Sequence, residues 1–240
     1  MIPRKGSYGI DAPTLLPIAG LLVLLNLFLA WFSRSWGPLI GAIVILGFLA
    51  TGLYASLRGK FVVWSRVLDR LDLRGDEKII DLGCGRGAVL LMAAQRLTTG
   101  RAVGADIWSR RDQSGNAIEA TRENAIKEGV SEKVDLETAD MTGLPFPSDS
   151  FDLVVSNVAI HNIKGSAGRH QAIDEALRVL RPGGRFAIAD LFGTGDYVKW
   201  LRSLGVTSIT RRNLGWRMWW GGPWMATHLV EGTKPVQAKT

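Results

Sequence analysis

Lys78-Ile79-Ile80-Asp81-Leu82-Gly83-Cys84-Gly85-Arg86-Gly87 is the stretch that decides the fold. Its first half is a short apolar run ending in an acid, the signature of a buried strand. Its second half is a glycine-rich turn, where the missing Cβ lets a ligand approach the backbone. Downstream the same alternation repeats. Short apolar runs at Ala102–Ile107, Val134–Thr138, Phe151–Ser156 and Arg185–Ala189 are separated by helical stretches. Strands alternating with helices in this way predict a parallel sheet covered on both faces. In such sheets the ligand lies at the carboxyl ends of the strands.

By spacing alone, Gly83, Gly85 and Ala88 also satisfy the dinucleotide pattern G-x-G-x-x-G/A, so spacing leaves two cofactor classes open. The acids bear on the choice. Asp81 closes the first strand, where a carboxylate suits a cofactor bringing positive charge more than it suits a pyrophosphate. Asp106 closes the second strand, placed to accept ribose hydroxyls in either class. Asp140-Met141 follows the third strand, where the carboxylate can accept from an exocyclic adenine amine and Met141 can cover the ring.

These residues, with Arg181-Pro182-Gly183-Gly184 before the fifth strand, resemble the class I S-adenosylmethionine-dependent methyltransferases over residues 76–232. The run Phe151–Asn157 and Ile160-His161-Asn162 resembles that family's small-molecule and lipid branch. The resemblance implies a Rossmann-like α/β sheet, mostly parallel, closed by an antiparallel strand, for which Val206–Arg212 and Ala226–Val230 are suitable. It implies S-adenosyl-L-methionine as the cofactor and S-adenosyl-L-homocysteine as the product. It assigns Asp81, Gly83, Gly85 and Gly87 to the methionine end, Asp106 and Ile107 to the ribose and one face of adenine, and Asp140 and Met141 to the adenine pocket. Cys84 and Asn157 are further cofactor-binding candidates. His161 and Asn162 are the catalytic candidates on the loop after strand four. Imidazole is the side chain whose charge changes near neutral pH. Many relatives carry two adjacent histidines at this point, whereas here Asn162 follows His161. Asn157 and Asn162 could also position substrate, and Asp190, ending strand five, could face the pocket or fix a turn. His170 belongs to the start of the next helix and His228 to the last strand, and neither is assigned a role.

The chain has 240 residues and a formal charge of +7. That length accommodates one α/β domain and about 60 residues more. Those extra residues lie at the N-terminus. No charge occurs between Asp11 and Arg34, nor between Arg34 and Arg58. Leu15–Phe32 and Leu39–Leu57 would each be about 27–29 Å long as helices, close to the hydrocarbon thickness of a bilayer. Residues 1–58 are therefore expected to form a transmembrane hairpin with spans near 15–32 and 38–57. Residues 59–75 would be a linker or surface helix, and 76–240 the methyltransferase domain. Phe61, Trp64, Leu68 and Leu71 recur at helical spacing in that intermediate stretch, which suits a helix packed on the sheet as well as one lying on a membrane.

Arg4, Lys5, Arg58, Lys60, Arg66 and Arg70 flank the two spans on the side away from Arg34. This bias predicts an integral membrane protein with both termini and the catalytic domain in the cytoplasm. Cys84 is the only cysteine, which rules out an internal disulfide framework and cysteine-based metal centres. It reads as a small buried filler, not a nucleophile. No metal site is expected.

Near the C-terminus, Trp216, Trp219, Trp220 and Trp224 lie among Arg211, Arg212 and Arg217. This loop suits a headgroup region or a packed aromatic cluster against the spans. The expected partners are a lipid bilayer and a hydrophobic acceptor (lipid, quinone, isoprenoid or thiol), with no nucleic acid. A soluble acceptor and a non-catalytic cofactor-binding scaffold are the alternatives. Ser156-Asn157-Val158-Ala159 is not the Pro-Pro-aromatic run of base-amine methyltransferases.

Overall fold

The computed structural model describes residues 4–236. The sidedness expected of the two chain ends therefore concerns residues outside that range. Two apolar helices come first, α1 (Leu15–Ser33) and α2 (Trp36–Tyr54). Ser35 caps α2, its side chain accepting from the Gly37 N–H, so this helix starts two residues before Pro38. Both helices are long and apolar enough to cross a membrane. No residue of α1 is buried, and in α2 only Ala42 is. Leu21, Leu24, Trp31, Phe32, Ile40 and Ile43 stand outward from the pair. A core helix of a globular domain would have covered these side chains. Asn26, the one amide within the spans, donates to the Leu22 carbonyl and sits against Gly41 of the facing helix.

The expected linker at 59–75 is not a separate piece. A π-turn, Ala55–Gly59, carries α2 directly into α3 (Lys60–Arg70), giving one helical run from Trp36 to Arg70. Val63, Trp64, Val67 and Leu68 of α3 are buried in one core cluster with Ile79, Leu153 and Val155 of the sheet, while buried Phe61 packs on Tyr8 and Arg4. Between the two suggested roles for this stretch, the structure takes packing on the sheet.

The sheet follows as β1 (Lys78–Leu82), α4 (Ala88–Ala94), β2 (Arg101–Asp106), α5 (Ile118–Lys127), β3 (Val134–Thr138), β4 (Phe151–Asn157), α6 (Gly165–Val179), β5 (Leu180–Asp190), α7 (Thr194–Ser203), β6 (Ile209–Asn213) and β7 (His228–Thr233). Strand order is β3-β2-β1-β4-β5-β7-β6. The first five strands are parallel, and β7 runs antiparallel to both β5 and β6. The expected α/β Rossmann-like sheet with an antiparallel closing pair is what forms. β5 is longer than anticipated because Arg181–Gly184 continues it as extended backbone. The switch point lies between β1 and β4, from which the chain winds outward in both directions, so the ligand crevice opens beyond Leu82 and Asn157.

Candidate active site

The turn after β1 forms the floor of a cavity of about 430 Å³. Gly83 has φ of +70°, and a Cβ on it would stand 2.3 Å from the Ala159 Cβ and 3.1 Å from the Met141 Cε. Only glycine satisfies both the left-handed backbone and this close approach. Its N–H donates to the Ala105 carbonyl, which ties the turn to β2.

Asp81 is fully buried. One of its oxygens accepts from the Leu90 N–H at 2.9 Å, and the other has no hydrogen-bond partner. Burial pushes its pKa well above the ordinary carboxylate range, with the Leu90 bond pulling weakly the other way. A buried carboxylate with an unanswered oxygen at a cavity wall is a place for a cationic or N–H-bearing ligand group. Asp106 is also raised by burial, although the Gly85 and Trp108 N–H groups, at 2.7 and 2.5 Å, and Asn116 oppose that shift. Asp140 accepts from both the N–H and the hydroxyl of Thr142.

The cavity is lined by Asp11, Asp81, Asp106, Asp112 and Asp140 against one cation, Lys60. This acidity suits a sulfonium donor with an α-amino group. A pyrophosphate would meet repulsion here.

Most residues expected at the cofactor do meet in this cavity: Asp81, Gly83, Cys84, Gly85, Asp106, Ile107, Asp140, Met141 and Asn157, with Asn162 at its edge. Gly87 does not line it. Gly87 starts α4 with φ of +83° and faces Leu91 and Thr121, so it shapes the loop from behind. Cys84 is buried, and burial raises its thiol pKa well above the ordinary value, which suits a filler role. The Asn157 Oδ1 accepts from the Trp64 Nε1 at 2.7 Å, which fixes the amide from α3.

His161 lies outside the first cavity and lines a second one beside it. Its Nδ1 is 2.5 Å from the Asp190 Oδ1, and its backbone N–H donates to the Asp190 Oδ2. Asp190 is fully buried and also accepts from Tyr197 Oη at 3.1 Å and from the Leu191 N–H. Burial and the Asp190 charge together push the Tyr197 phenol upward. With Nδ1–H given to Asp190, the neutral imidazole presents Nε2 as an acceptor. Asp190 lines neither cavity; it lies behind His161, holding the ring and fixing the turn through the His161 and Leu191 N–H groups. His170 is in a different setting, stacked on Trp200 with its Nε2 2.7 Å from an exposed Asp196 carboxylate. His228 bonds the Ala226 carbonyl, and burial lowers its pKa.

The second cavity is about 460 Å³ and mostly apolar. Leu15, Ile18, Ala19 and Leu22 supply one face of α1. Ile45, Phe48, Leu49, Gly52 and Leu53 supply one face of α2. Both sets follow the i, i+3, i+4, i+7 rule for one side of a helix. Trp220, Trp224 and Met225 form its floor, and Asn157, Asn162 and His161 its polar end. Asp11, Asp112, Asn157, Val158 and Asn162 belong to both cavities, so the two adjoin at the β4 loop.

The tryptophan loop packs on α2. Trp216 stacks on Tyr54 with ring centres 5.0 Å apart, and Trp224 meets Phe48 edge-on at 4.8 Å. Both rings remain half exposed or more.

Sequence reasoning missed the segment before α1. Residues 4–11 run as a strap along α5 and the loop after β2, where Ile10, Asp11 and Ala12 bond to Ser114, Gln113 and Asp112. One signal was visible: Asp11 is the only acid in the first 60 residues.

Residues 80–188 match a family described as a methyltransferase domain. This stretch of the chain is a methyltransferase domain. Among curated relatives, Methyltransferase GfsG of Streptomyces halstedii is 37% identical over 131 residues, which is 54% of this chain and 43% of the relative. The 27-O-demethylrifamycin SV methyltransferase of Amycolatopsis mediterranei is 33% identical over 128 residues, 52% of this chain and 42% of that one. The chain thus spans less than half the length of these methyltransferase relatives. A geranyl diphosphate methyltransferase solved with S-adenosylmethionine superposes with a TM-score of 0.58, at 16% identity over 72% of this chain and 85% of that one. That likeness establishes the fold.

Proposed function

We propose that this protein transfers a methyl group from S-adenosylmethionine to a hydrophobic small molecule that reaches the site from a bilayer. One observation carries the reading: the cavity holding His161 is walled by the apolar faces of α1 and α2 and joins the acid-lined cavity through Asn157 and Asn162. In this reading α1 and α2 cross the membrane with both ends on the cytoplasmic side, where Arg4, Arg58 and Arg66 cluster. The half-exposed Trp216 and Trp224 then lie at headgroup level.

The cofactor supplies an activated methyl group on a cationic sulfur. The chain's own residues bind, orient and deprotonate. Asp81 and the Gly83 turn hold the amino-acid end. Asp106 and Ile107 hold the ribose and flank the adenine, and Asp140 and Met141 complete that pocket. Holding donor and acceptor in line can account for about 7–11 kcal/mol of the barrier. His161 Nε2 takes the acceptor's proton when that group arrives as a hydroxyl or thiol, and Asp190 stabilises the resulting imidazolium. Asn162 positions the acceptor across the shared wall.

The test is to incubate the full-length protein, in detergent and in lipid nanodiscs, with isotope-labelled cofactor and membrane lipid extracts. A labelled, organic-soluble product identified by mass supports the reading. Cofactor binding without any labelled lipid product from any extract overturns the acceptor class.

A further inference from the structure

Through Gln113 and Asn124, the strap before α1 reaches one residue of the glycine loop, Arg86. The Arg86 N–H donates to the Gln113 Oε1 at 2.8 Å, and the Arg86 carbonyl accepts from the Asn124 Nδ2 at 2.9 Å. The strap holds both of these side chains. Gln113 Nε2 donates to Asp11 at 2.8 Å, and Asn124 bonds both the N–H and the carbonyl of Ser7. The second Asp11 oxygen accepts from the Ser56 Oγ at 2.8 Å and the Lys60 Nζ at 2.6 Å. Ser56 lies in the π-turn and Lys60 opens α3, so Asp11 links the inner end of the membrane helix to the cofactor loop. Asp11 and Lys60 both line the cofactor cavity, and Lys60 is only 1% exposed. Removing Asp11 would leave this buried ammonium without its anion. α1 begins four residues after Asp11 and is tethered by the same strap.

We infer that the strap, residues 4–11, couples the seating of the membrane hairpin to cofactor binding, with Asp11 as the positioning residue. A docked strap pins Gln113 and Asn124, and these fix the Arg86 peptide and the turn that receives the cofactor. An undocked strap frees both at once. Linkage is reciprocal: a bound cofactor must then hold the strap down as firmly as the strap favours the cofactor. The inference rests on the cofactor half of the proposed function and is independent of the acceptor.

Glu128 provides a handle remote from the pocket. It accepts from the N–H groups of Lys5 and Gly6 and from Tyr8 Oη, each at 2.9 Å, and it lines neither the cofactor nor the acceptor cavity. The full-length protein is placed in phosphatidylcholine nanodiscs and titrated calorimetrically with S-adenosylhomocysteine, and tryptic cleavage after Arg4 and Lys5 is timed with and without that ligand. The expected result is binding weakened by about fivefold or more in both Asp11→Ala and Glu128→Ala. In the unaltered protein the ligand should slow cleavage, and in Glu128→Ala it should slow it less.

The inference is overturned if Glu128→Ala is cut faster while its affinity stays within about twofold of the unaltered protein. It is equally overturned if saturating ligand leaves the cleavage of the unaltered protein unchanged. Should Asp11→Ala fail to fold, Glu128→Ala decides alone. No binding of S-adenosylhomocysteine by the unaltered protein would instead sink the cofactor assignment itself.

Discussion

Two cavities of nearly equal size, about 430 and 460 Å³, lie against one another and are built on opposite plans. The first cavity, at the glycine turn, mixes polar and apolar lining about equally, with three of its five aspartates at or just beyond successive strand ends. The second cavity, proposed for the acceptor, is mostly apolar and gathers α1, α2, the β4 loop, the tryptophan loop, the strap before α1 and the loop after β2. The first is specified by local chemistry, the second by how distant pieces assemble. Substitutions can separate the two, because a change in one should spare the other.

The largest effect is expected at the polar end of the second cavity. His161→Ala should lower kcat by about 10²–10⁴ on an acceptor that arrives protonated, with cofactor affinity unchanged by calorimetry. Asp190→Asn should follow in the same direction, because the ring loses the acceptor that fixes its tautomer. Next comes Gly83→Val. Its Cβ would collide with Ala159 and Met141 in a left-handed backbone, so cofactor affinity should fall about a hundredfold, measured by titration with S-adenosylhomocysteine. If Gly83→Val instead spared cofactor binding and impaired only the acceptor, the division of labour between the cavities would be wrong.

Ala19→Trp fills the acceptor cavity from α1. It should raise the KM for the hydrophobic acceptor by about tenfold without moving cofactor affinity, as steady-state kinetics in nanodiscs would show.

The smallest effect concerns Asp81. Burial raises its pKa, so the folded chain keeps a proton there that the unfolded chain has already released. Stability without cofactor therefore falls as pH rises from the ordinary carboxylate range through the folded pKa. Asp81→Asn removes this dependence. Its thermal midpoint should change less than that of the unaltered protein between about pH 5 and about pH 8, by a few degrees, while its cofactor affinity drops. An unchanged slope would mean that Asp81 is ionised in the empty pocket.

The contrast also accounts for what could be read in advance. Asp81, Asp106 and Asp140 were legible because each follows a strand whose apolar run is visible, and a parallel sheet brings strand ends together by construction. The closing pair β6 and β7 was placed to within a few residues by the family resemblance, which implies an antiparallel pair there. Asp190 was seen only as a possibility, since it lies 29 residues from His161 and only the β4–β5 pairing brings the two together. The Asp11–Gln113 bond spans 102 residues and leaves no periodic trace. The cavity faces of α1 and α2 were hidden for another reason. A helix that is apolar all round does not announce which side meets protein and which meets lipid. The continuity of α2 into α3 was hidden because the charges at Arg58 and Lys60 mark a change of environment, and the backbone carries on through it.

The π-turn at Ala55–Gly59 has a mechanical consequence. A Cβ on Gly59 would fall 1.8 Å from the Arg217 carbonyl oxygen, so the tryptophan loop is seated directly against the helix where it leaves the spans. α2 and α3 form one continuous helix, and this loop packs on it beside the sheet. In the membrane-spanning arrangement proposed above, the sheet's height and tilt over the lipid follow from how deeply that helix sinks. Bilayer thickness would then act on the enzyme as a ruler: chains too long or too short for the spans would tip the whole sheet and lift the acceptor mouth out of register with its reservoir.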